Sequence, residues 1–146
     1  MKFHGYVREN GEVGSRNYVA VIPSAVCVNE IVESIVHLTT SSRGLMHHQG
    51  CCQLPPDLTM ITDSLIKLGQ NPNVGAALIV SLGCEGTNVD RIAQEIAASG
   101  KPVEIIRVQE LGGTSKAIQK GVDAVQKLAL KTSGCLRQEV DFSHIT

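Results

Sequence analysis

Four short apolar segments alternate with segments of helical periodicity along this chain. The apolar segments are continuous and rich in β-branched residues, which is typical of strands buried on both faces. Segment 76–82 has the clearest strand pattern, and segment 44–46 the weakest. The predicted strands are residues 18–23, 44–46, 76–82 and 103–108.

The segments that follow these strands carry apolar residues every three to four positions, as amphipathic helices do. The predicted helices are residues 28–36, 55–70, 89–98 and about 114–131. Such alternation indicates a three-layer α/β/α fold with a four-stranded parallel sheet, Rossmann-like or flavodoxin-like, joined by right-handed crossovers. We expect one domain over residues 1–133, with residues 1–16 as a glycine-rich flap. Residues 134–146 are polar and are predicted to be a linker toward a further region.

Composition excludes several classes of protein. The 146 residues carry a net charge of −1, so no nucleic-acid partner is expected. No apolar run approaches the roughly 20 residues that span a bilayer, and the first residues do not resemble a signal peptide. We therefore expect a cytoplasmic protein that does not bind membranes. Its five cysteines suit free thiols or metal ligands better than a disulfide framework. A homodimer remains open, because edges of such sheets often pair.

Polar and thiol side chains follow every predicted strand. Because ligands bind at the carboxyl ends of the strands in open parallel sheets, these side chains mark the candidate site. Cys27 follows the first strand, His47 and Cys51 the second, Cys84 and Glu85 the third, and residues 109–114 the fourth.

Three cysteines from three loops suit several kinds of chemistry. Cys27, Cys51 and Cys84 are candidate ligands for a metal ion or for an iron–sulfur cluster. Alternatively, a histidine of the pair 47–48 with Glu85 or Glu110 would form a mixed site for Fe²⁺ or Mn²⁺. Buried structural cysteines, a Cys/His nucleophile and a thiol redox domain also remain open.

A carboxylate or phosphate group has candidate binding residues in the same region. Gly113 and Thr114 precede a long helix, whose amino end attracts anions, and Gln109 lies in the same loop. Arg16 is a candidate carboxylate clamp, because a guanidinium matches a carboxylate in a bidentate manner. Arg16 directly precedes the first strand, so it reaches this site only if the flap folds over.

Four stretches together resemble the altronate and galactarate dehydratase family, which also includes the large subunit of sulfolactate sulfo-lyase. The similarity covers nearly the whole chain in order. The stretches are Gly5-Tyr6-x-Arg8-x-x-Gly11-x-x-Gly14-x-Arg16-Asn17, His47-x-x-Gly50-Cys51, Leu82-Gly83-Cys84-Glu85 and Gln109-Glu110-x-Gly112-Gly113-Thr114.

The resemblance implies a carbon–oxygen lyase of sugar-acid catabolism, such as that of D-galacturonate. Its substrate would be an altronate- or galactarate-type acid, dehydrated to a 2-keto-3-deoxy acid by metal-assisted β-elimination. His47, Glu85 and Glu110 would be catalytic, with His47 transferring protons. Fe²⁺ or Mn²⁺ is the implied cofactor, and Cys27, Cys51 and Cys84 are its candidate ligands. A non-catalytic binding or assembly domain and a C–S lyase of the sulfolactate type remain alternatives.

The sequence departs from the family pattern in two respects. Family members are longer and continue into a region with a Cys-Gly-Gly-Ser-Asp type motif, which this chain lacks. We therefore expect that region to be a partner of this domain, and the isolated chain to be inactive. The second departure is Cys52, which stands where glycine is frequent in the family.

Overall fold

The computed structural model describes residues 1–144 and contains two sheets. The larger sheet is parallel and has the strand order β4-β3-β5-β6. Its strands are β3 (Tyr18–Pro23), β4 (Ser42–Gly44), β5 (Val74–Ser81) and β6 (Val103–Arg107). This arrangement confirms the predicted α/β class with four parallel strands.

Helices cover both faces of the parallel sheet. The long helices are α1 (Asn29–His37), α2 (Pro55–Gln70), α3 (Val89–Ala98) and α5 (Thr114–Ser133). One core joins α1 and α5 to one face of the sheet and includes Val21, Ile35 and Leu128. The other joins α2 and α3 to the opposite face and includes Ile22 and Ile96. All residues of β5 are buried, which is why its apolar pattern is continuous.

Three strands of the parallel sheet differ in their boundaries from the sequence-based expectations. The second strand of the parallel sheet is Ser42–Gly44 rather than 44–46, because Ser42 pairs with β3 whereas Met46 is exposed to solvent. The third strand begins two residues earlier than predicted, at Val74. The fourth strand ends at Arg107, after which one helical turn, α4 (Val108–Leu111), replaces the predicted loop.

The glycine-rich flap forms a hairpin, which a third strand extends. Strands β1 (Lys2–Val7), β2 (Val13–Gly14) and β7 (Gln138–Asp141) form an antiparallel sheet with the order β2-β1-β7. Part of the predicted linker 134–146 is therefore a strand. The polar composition of β7 did not predict a strand, because β7 is mostly exposed. It forms by pairing with β1 and by the Lys2–Glu139 ion pair. The linker's last two positions, 145 and 146, lie outside the described residues.

The small sheet lies at the amino ends of the parallel strands. The Nε atom of Arg8 donates to the carbonyl of Pro72 at 2.8 Å, just before β5. The backbone amide of Arg16 donates to Oδ1 of Asn73 at 3.0 Å. The flap therefore anchors the edge opposite to the strand-end loops. Among residues 1–144, none of the helices has the length and apolarity needed to cross a membrane.

Candidate functional site

The loops that follow β3, β4 and β5 pack against one another at the carboxyl edge. The backbone amide of Val26 donates to the carbonyl of Gln49 at 2.9 Å, and that of Gly86 donates to the carbonyl of Gly50 at 3.2 Å. The Thr87 hydroxyl donates to the carbonyl of Ser24 at 2.8 Å. The predicted convergence of three loops is therefore present, and hydrogen bonds between the loops hold it.

Glu85 connects the ends of β3 and β5. Its Oε1 accepts a hydrogen bond from the Ser24 hydroxyl at 2.5 Å, and its Oε2 accepts one from the Gly83 amide at 2.6 Å. Partial burial acts to raise the pKa of Glu85, but hydrogen bonds from the side chains of Ser24 and Ser81 and from backbone amides outweigh it. The pKa of Glu85 is therefore lowered, which makes this carboxylate a poor proton acceptor and a fixed negative charge.

His47 uses both ring nitrogens within the loop. Its Nε2 lies 2.8 Å from the carbonyl of Pro23, and its Nδ1 accepts from the Gln49 amide at 3.2 Å. Donation from Nε2 and acceptance at Nδ1 together define a neutral tautomer. In this arrangement His47 fixes the loop after β4, and neither nitrogen is free for a substrate proton or a metal ion.

A group of thiols lies beside this loop. The Sγ atoms of Cys51 and Cys52 are 3.6 Å apart, and the Cys27 thiol is near enough to affect the ionisation of Cys51. Cys52 first and Cys27 next raise the pKa of Cys51 to about 11, because a thiolate there would lie beside other sulfur atoms. Cys51 thus keeps its proton at neutral pH, which does not favour a Cys/His nucleophile at this position.

The third predicted ligand, Cys84, lies on the loop after β5 with its side chain exposed. Among residues 1–144, no three side chains of His, Cys, Asp or Glu are grouped so that they could hold a metal ion. The thiols of Cys27 and Cys51 are near each other, but Cys84 does not complete a ligand set with them. The side chains of this domain, as arranged here, therefore do not fit a metal ion by themselves.

The helical turn α4 separates two residues that the sequence places together. Gln109 lies over the loop after β5, with its Oε1 atom 2.7 Å from where a Cβ atom would stand on Gly83. Glu110 instead lies beside Arg107, with 3.8 Å between Oε1 and Nε, and it lines a groove of about 390 Å³ between β6 and α5. Gln109 therefore joins the candidate site, whereas Glu110 does not.

The amino end of α5 also lies at the carboxyl edge. Gly113 takes the cap position with φ 120°, and no side chain caps the helix, which begins at Thr114. The first turn of a helix carries about half a positive charge and free amides, which suit an anion. Gly113 and Thr114 thus lie where a carboxylate group would be attracted.

Arg16 lies at the opposite edge of the sheet. Its backbone amide bonds to Asn73, and its Nη1 atom donates to the carbonyl of Ser15 at 3.3 Å. The flap does not fold over the strand ends, so Arg16 is not part of the cluster at the carboxyl edge.

Comparison with known proteins identifies the family. Residues 5–133 match the family described as D-galactarate dehydratase/altronate hydrolase, second domain. The chain belongs to this family. It is 28% identical to the altronate dehydratase of Bacillus subtilis (strain 168), over 98% of the chain and 30% of that protein.

Two further relatives are similar over shorter parts. The chain is 36% identical to the (2R)-sulfolactate sulfo-lyase subunit beta of Chromohalobacter salexigens, over 75% of the chain and 28% of that subunit. It is 35% identical to the altronate dehydratase of Escherichia coli (strain K12), over 58% of the chain and 19% of that enzyme. The chain thus spans less than a third of the length of each of these relatives.

Two residues of this second domain, Ser24 and Cys52, shape the candidate site although the sequence did not predict it. Ser24 carries no motif in the sequence, yet its hydroxyl holds Glu85. In sequence, Cys52 differs only by standing where the family resemblance suggests glycine. Among residues 1–144 it is the one non-glycine residue with positive φ, at 56°. Glycine would suit the backbone at this position better than cysteine, since the left-handed region disfavours side chains.

Proposed function

We propose that this chain is a domain of a cytoplasmic hydro-lyase that dehydrates a sugar acid of the altronate or galactarate type to a 2-keto-3-deoxy acid. The observation that carries the proposal is the family match over residues 5–133. Altronate dehydratases are among the relatives, which supports carbon–oxygen lyase chemistry.

The role of this domain in the reaction follows from its own side chains. The uncapped amino end of α5, with Gly113 and Thr114, suits the carboxylate of a sugar acid. Gln109, above Gly83, is within the same loop cluster and would hydrogen-bond a hydroxyl group of the substrate. The fixed charge of Glu85 would repel the carboxylate of the acid and so favour its placement at the amino end of α5. We infer that this domain binds and orients the substrate.

Proton transfer and the cofactor require residues beyond this arrangement. His47 and Glu85 are engaged within the loops, so we propose that the base and acid come from the further region of the enzyme. Fe²⁺ or Mn²⁺ would polarise the substrate carboxylate and hydroxyl. Residues 1–144 hold no complete ligand set for such an ion. Cys27, Cys51 and Cys84 as its ligands, and an iron–sulfur cluster as the alternative, remain predictions.

Substrate binding is tested by amide chemical-shift mapping of the 146-residue chain. Altronate and galactarate are expected to shift the signals of residues 109–115, and the sugar alcohol of altronate, which lacks the carboxylate, is expected to shift them much less. Shifts centred on Arg16 instead, or equal effects of acid and alcohol, would contradict the proposed carboxylate site.

Catalysis and metal binding need separate measurements. The isolated chain is expected to form no 2-keto-3-deoxy acid from altronate or galactarate, and measurable turnover would refute the need for a further region. Iron analysis of protein purified without oxygen tests the ligands, with Cys84→Ser compared against Cys135→Ser. Equal iron content in the two variants would exclude Cys84 as a ligand.

A C–S lyase of the sulfolactate type is the second candidate. It is favoured by the relative that is 36% identical to the chain, the highest identity among the three relatives described. Chemical-shift mapping with sulfolactate and altronate in parallel separates the candidates, because tighter binding of sulfolactate would favour sulfite elimination. A non-catalytic assembly domain would respond to neither acid.

A further inference from the structure

Cys51 and Cys52 are adjacent thiols held in contact on the loop that follows β4. Their Sγ atoms are 3.6 Å apart, and all five cysteines of the chain are free. Cys52 is exposed, whereas Cys51 is partly buried. An oxidant in solution therefore has access to one sulfur of a pair that is already in contact.

The loop holds this pair in place. The Gly50 amide donates to Oε1 of Gln53 at 2.8 Å, which closes a turn around the two cysteines. The Gly50 carbonyl accepts from the Gly86 amide, and this bond ties the turn to the loop after β5. Cys52 lies in the left-handed region, at φ 56°. The arrangement thus keeps both thiols together instead of pointing them to opposite sides.

A bond between these sulfur atoms requires a small movement and carries strain. A disulfide has an S–S distance of about 2.05 Å, so the sulfur atoms must approach by roughly 1.5 Å, within reach of side-chain rotation. Adjacent Cα atoms are about 3.8 Å apart, which is shorter than in ordinary disulfides. Strained disulfides are reduced more readily than structural ones. Oxidation of this pair is therefore expected to be reversible.

We propose that Cys51 and Cys52 are a reversible oxidation site that peroxide converts to a vicinal disulfide. The sulfur of Cys52, as thiolate, attacks one peroxide oxygen; the O–O bond breaks, and the hydroxide released takes a proton to become water. The sulfur of Cys51 then displaces the oxygen of the resulting sulfenic acid, which leaves as a second water with the Cys51 proton. Two thiols lose two electrons and two protons, and a small dithiol reverses the change.

The site does not depend on the proposed lyase activity. Cys27 is also near the Cys51 thiol, but it lies on the separate turn Val26–Val28, and only the Cys52 sulfur is in contact with that of Cys51. The pair 51–52 is instead held by consecutive residues. A bridge from Cys51 to Cys27 is the competing product, and peptide mapping distinguishes the two.

The test uses the whole chain, reduced, freed of metal by a chelator and then treated with hydrogen peroxide. Trypsin separates the cysteines, since Cys27 falls in peptide 17–43, both Cys51 and Cys52 in 44–67, and Cys84 in 68–91. We expect peptide 44–67 to become lighter by two hydrogen atoms and to regain them with dithiothreitol. A cross-link between peptides 17–43 and 44–67, or sulfinic acid without any bridge, would overturn the proposal.

Thiol counts in matched variants give an independent readout. Wild type is expected to lose two of its five thiols to peroxide, and Cys135→Ser is expected to lose the same two. Cys52→Gly should lose none by bridging, and glycine suits the backbone at this position, so the variant is expected to fold. Loss of two thiols in Cys52→Gly, reversed by dithiothreitol, would disprove the assigned pair.

Discussion

Replacing Glu85 with glutamine tests whether its carboxylate holds the loops of the carboxyl edge together. The carboxylate accepts hydrogen bonds from the Ser24 hydroxyl at 2.5 Å and from the Gly83 amide at 2.6 Å. A charge-assisted hydrogen bond contributes about 1.5–3 kcal/mol and a neutral one about 0.5–1.5 kcal/mol. In Glu85→Gln the amide oxygen can accept from the Gly83 amide and the NH2 group can donate to the Ser24 hydroxyl, so both bonds become neutral. The free energy of unfolding should therefore fall by about 2 kcal/mol. In a domain of this size, that corresponds to a fall in Tm of roughly 4–8 °C.

The pH dependence of this loss separates charge from packing. Because the pKa of Glu85 is lowered from its usual 4.5 in the folded state, the ionised carboxylate stabilises the fold above that value. This stabilisation is lost as the pH falls through the lowered pKa. The difference between wild type and Glu85→Gln should therefore be full at pH 7 and shrink on acidification below the usual pKa. Urea unfolding followed by circular dichroism measures it at each pH.

Glu110→Gln is the matched control, since Glu110 is exposed and its atoms lie 3.8 Å from those of its partner Arg107. Exposed ion pairs contribute little, so this variant should unfold within about 0.5 kcal/mol of wild type. Equal stability of Glu85→Gln and Glu110→Gln at pH 7 would refute the structural role of Glu85. A loss in Glu85→Gln that stays constant down to pH 3 would refute its electrostatic origin.

Three further substitutions test other parts of the fold. Cys52→Gly should raise the free energy of unfolding by about 1 kcal/mol in urea titrations, because it removes a side chain from the left-handed region; a loss of stability would contradict this. Gly14→Ala should lower Tm by several degrees, since its Cβ would clash with the Pro72 carbonyl oxygen, whereas Gly134→Ala, with open space around it, should not. Burial and the nearby charge of Arg8 lower the pKa of Lys101 from 10.5 to about 8. The free energy of unfolding of wild type should therefore increase as the pH rises from about 8 to 10.5, and Lys101→Met should not show that increase.

The parallel sheet was predictable because its strands are buried on both faces. In β5 every residue is buried, so a continuous apolar pattern identified it. The same criterion failed for β7, where only Val140 is partly buried and the strand forms through pairing with β1. A strand that depends on a partner more than 130 positions away leaves little trace in local hydropathy.

The gathering of the candidate side chains at one edge was predictable from the parallel topology, but their hydrogen bonds were not. The expectation that parallel strands end at one edge placed Cys27, Cys51 and Glu85 together, and the loops that carry them do pack against one another there. Hydrogen bonds determine which side chains are free to bind a ligand. Those bonds come from residues such as Ser24, which belongs to no recognisable sequence motif. The position of Glu110 was likewise not predictable, since the unpredicted helical turn α4 directs its side chain away from that of Gln109.

The internal bonding of the site also determines what a domain of this kind can supply. A group that transfers protons must exchange partners during the reaction, and the bonds of His47 and Glu85 oppose that exchange. Those same bonds give the loops a fixed geometry, which favours binding and orienting a substrate. Under the proposed function, the second domain therefore provides a rigid surface with the positive end of α5 for the acid. The groups that move protons would then lie in the further region of the enzyme.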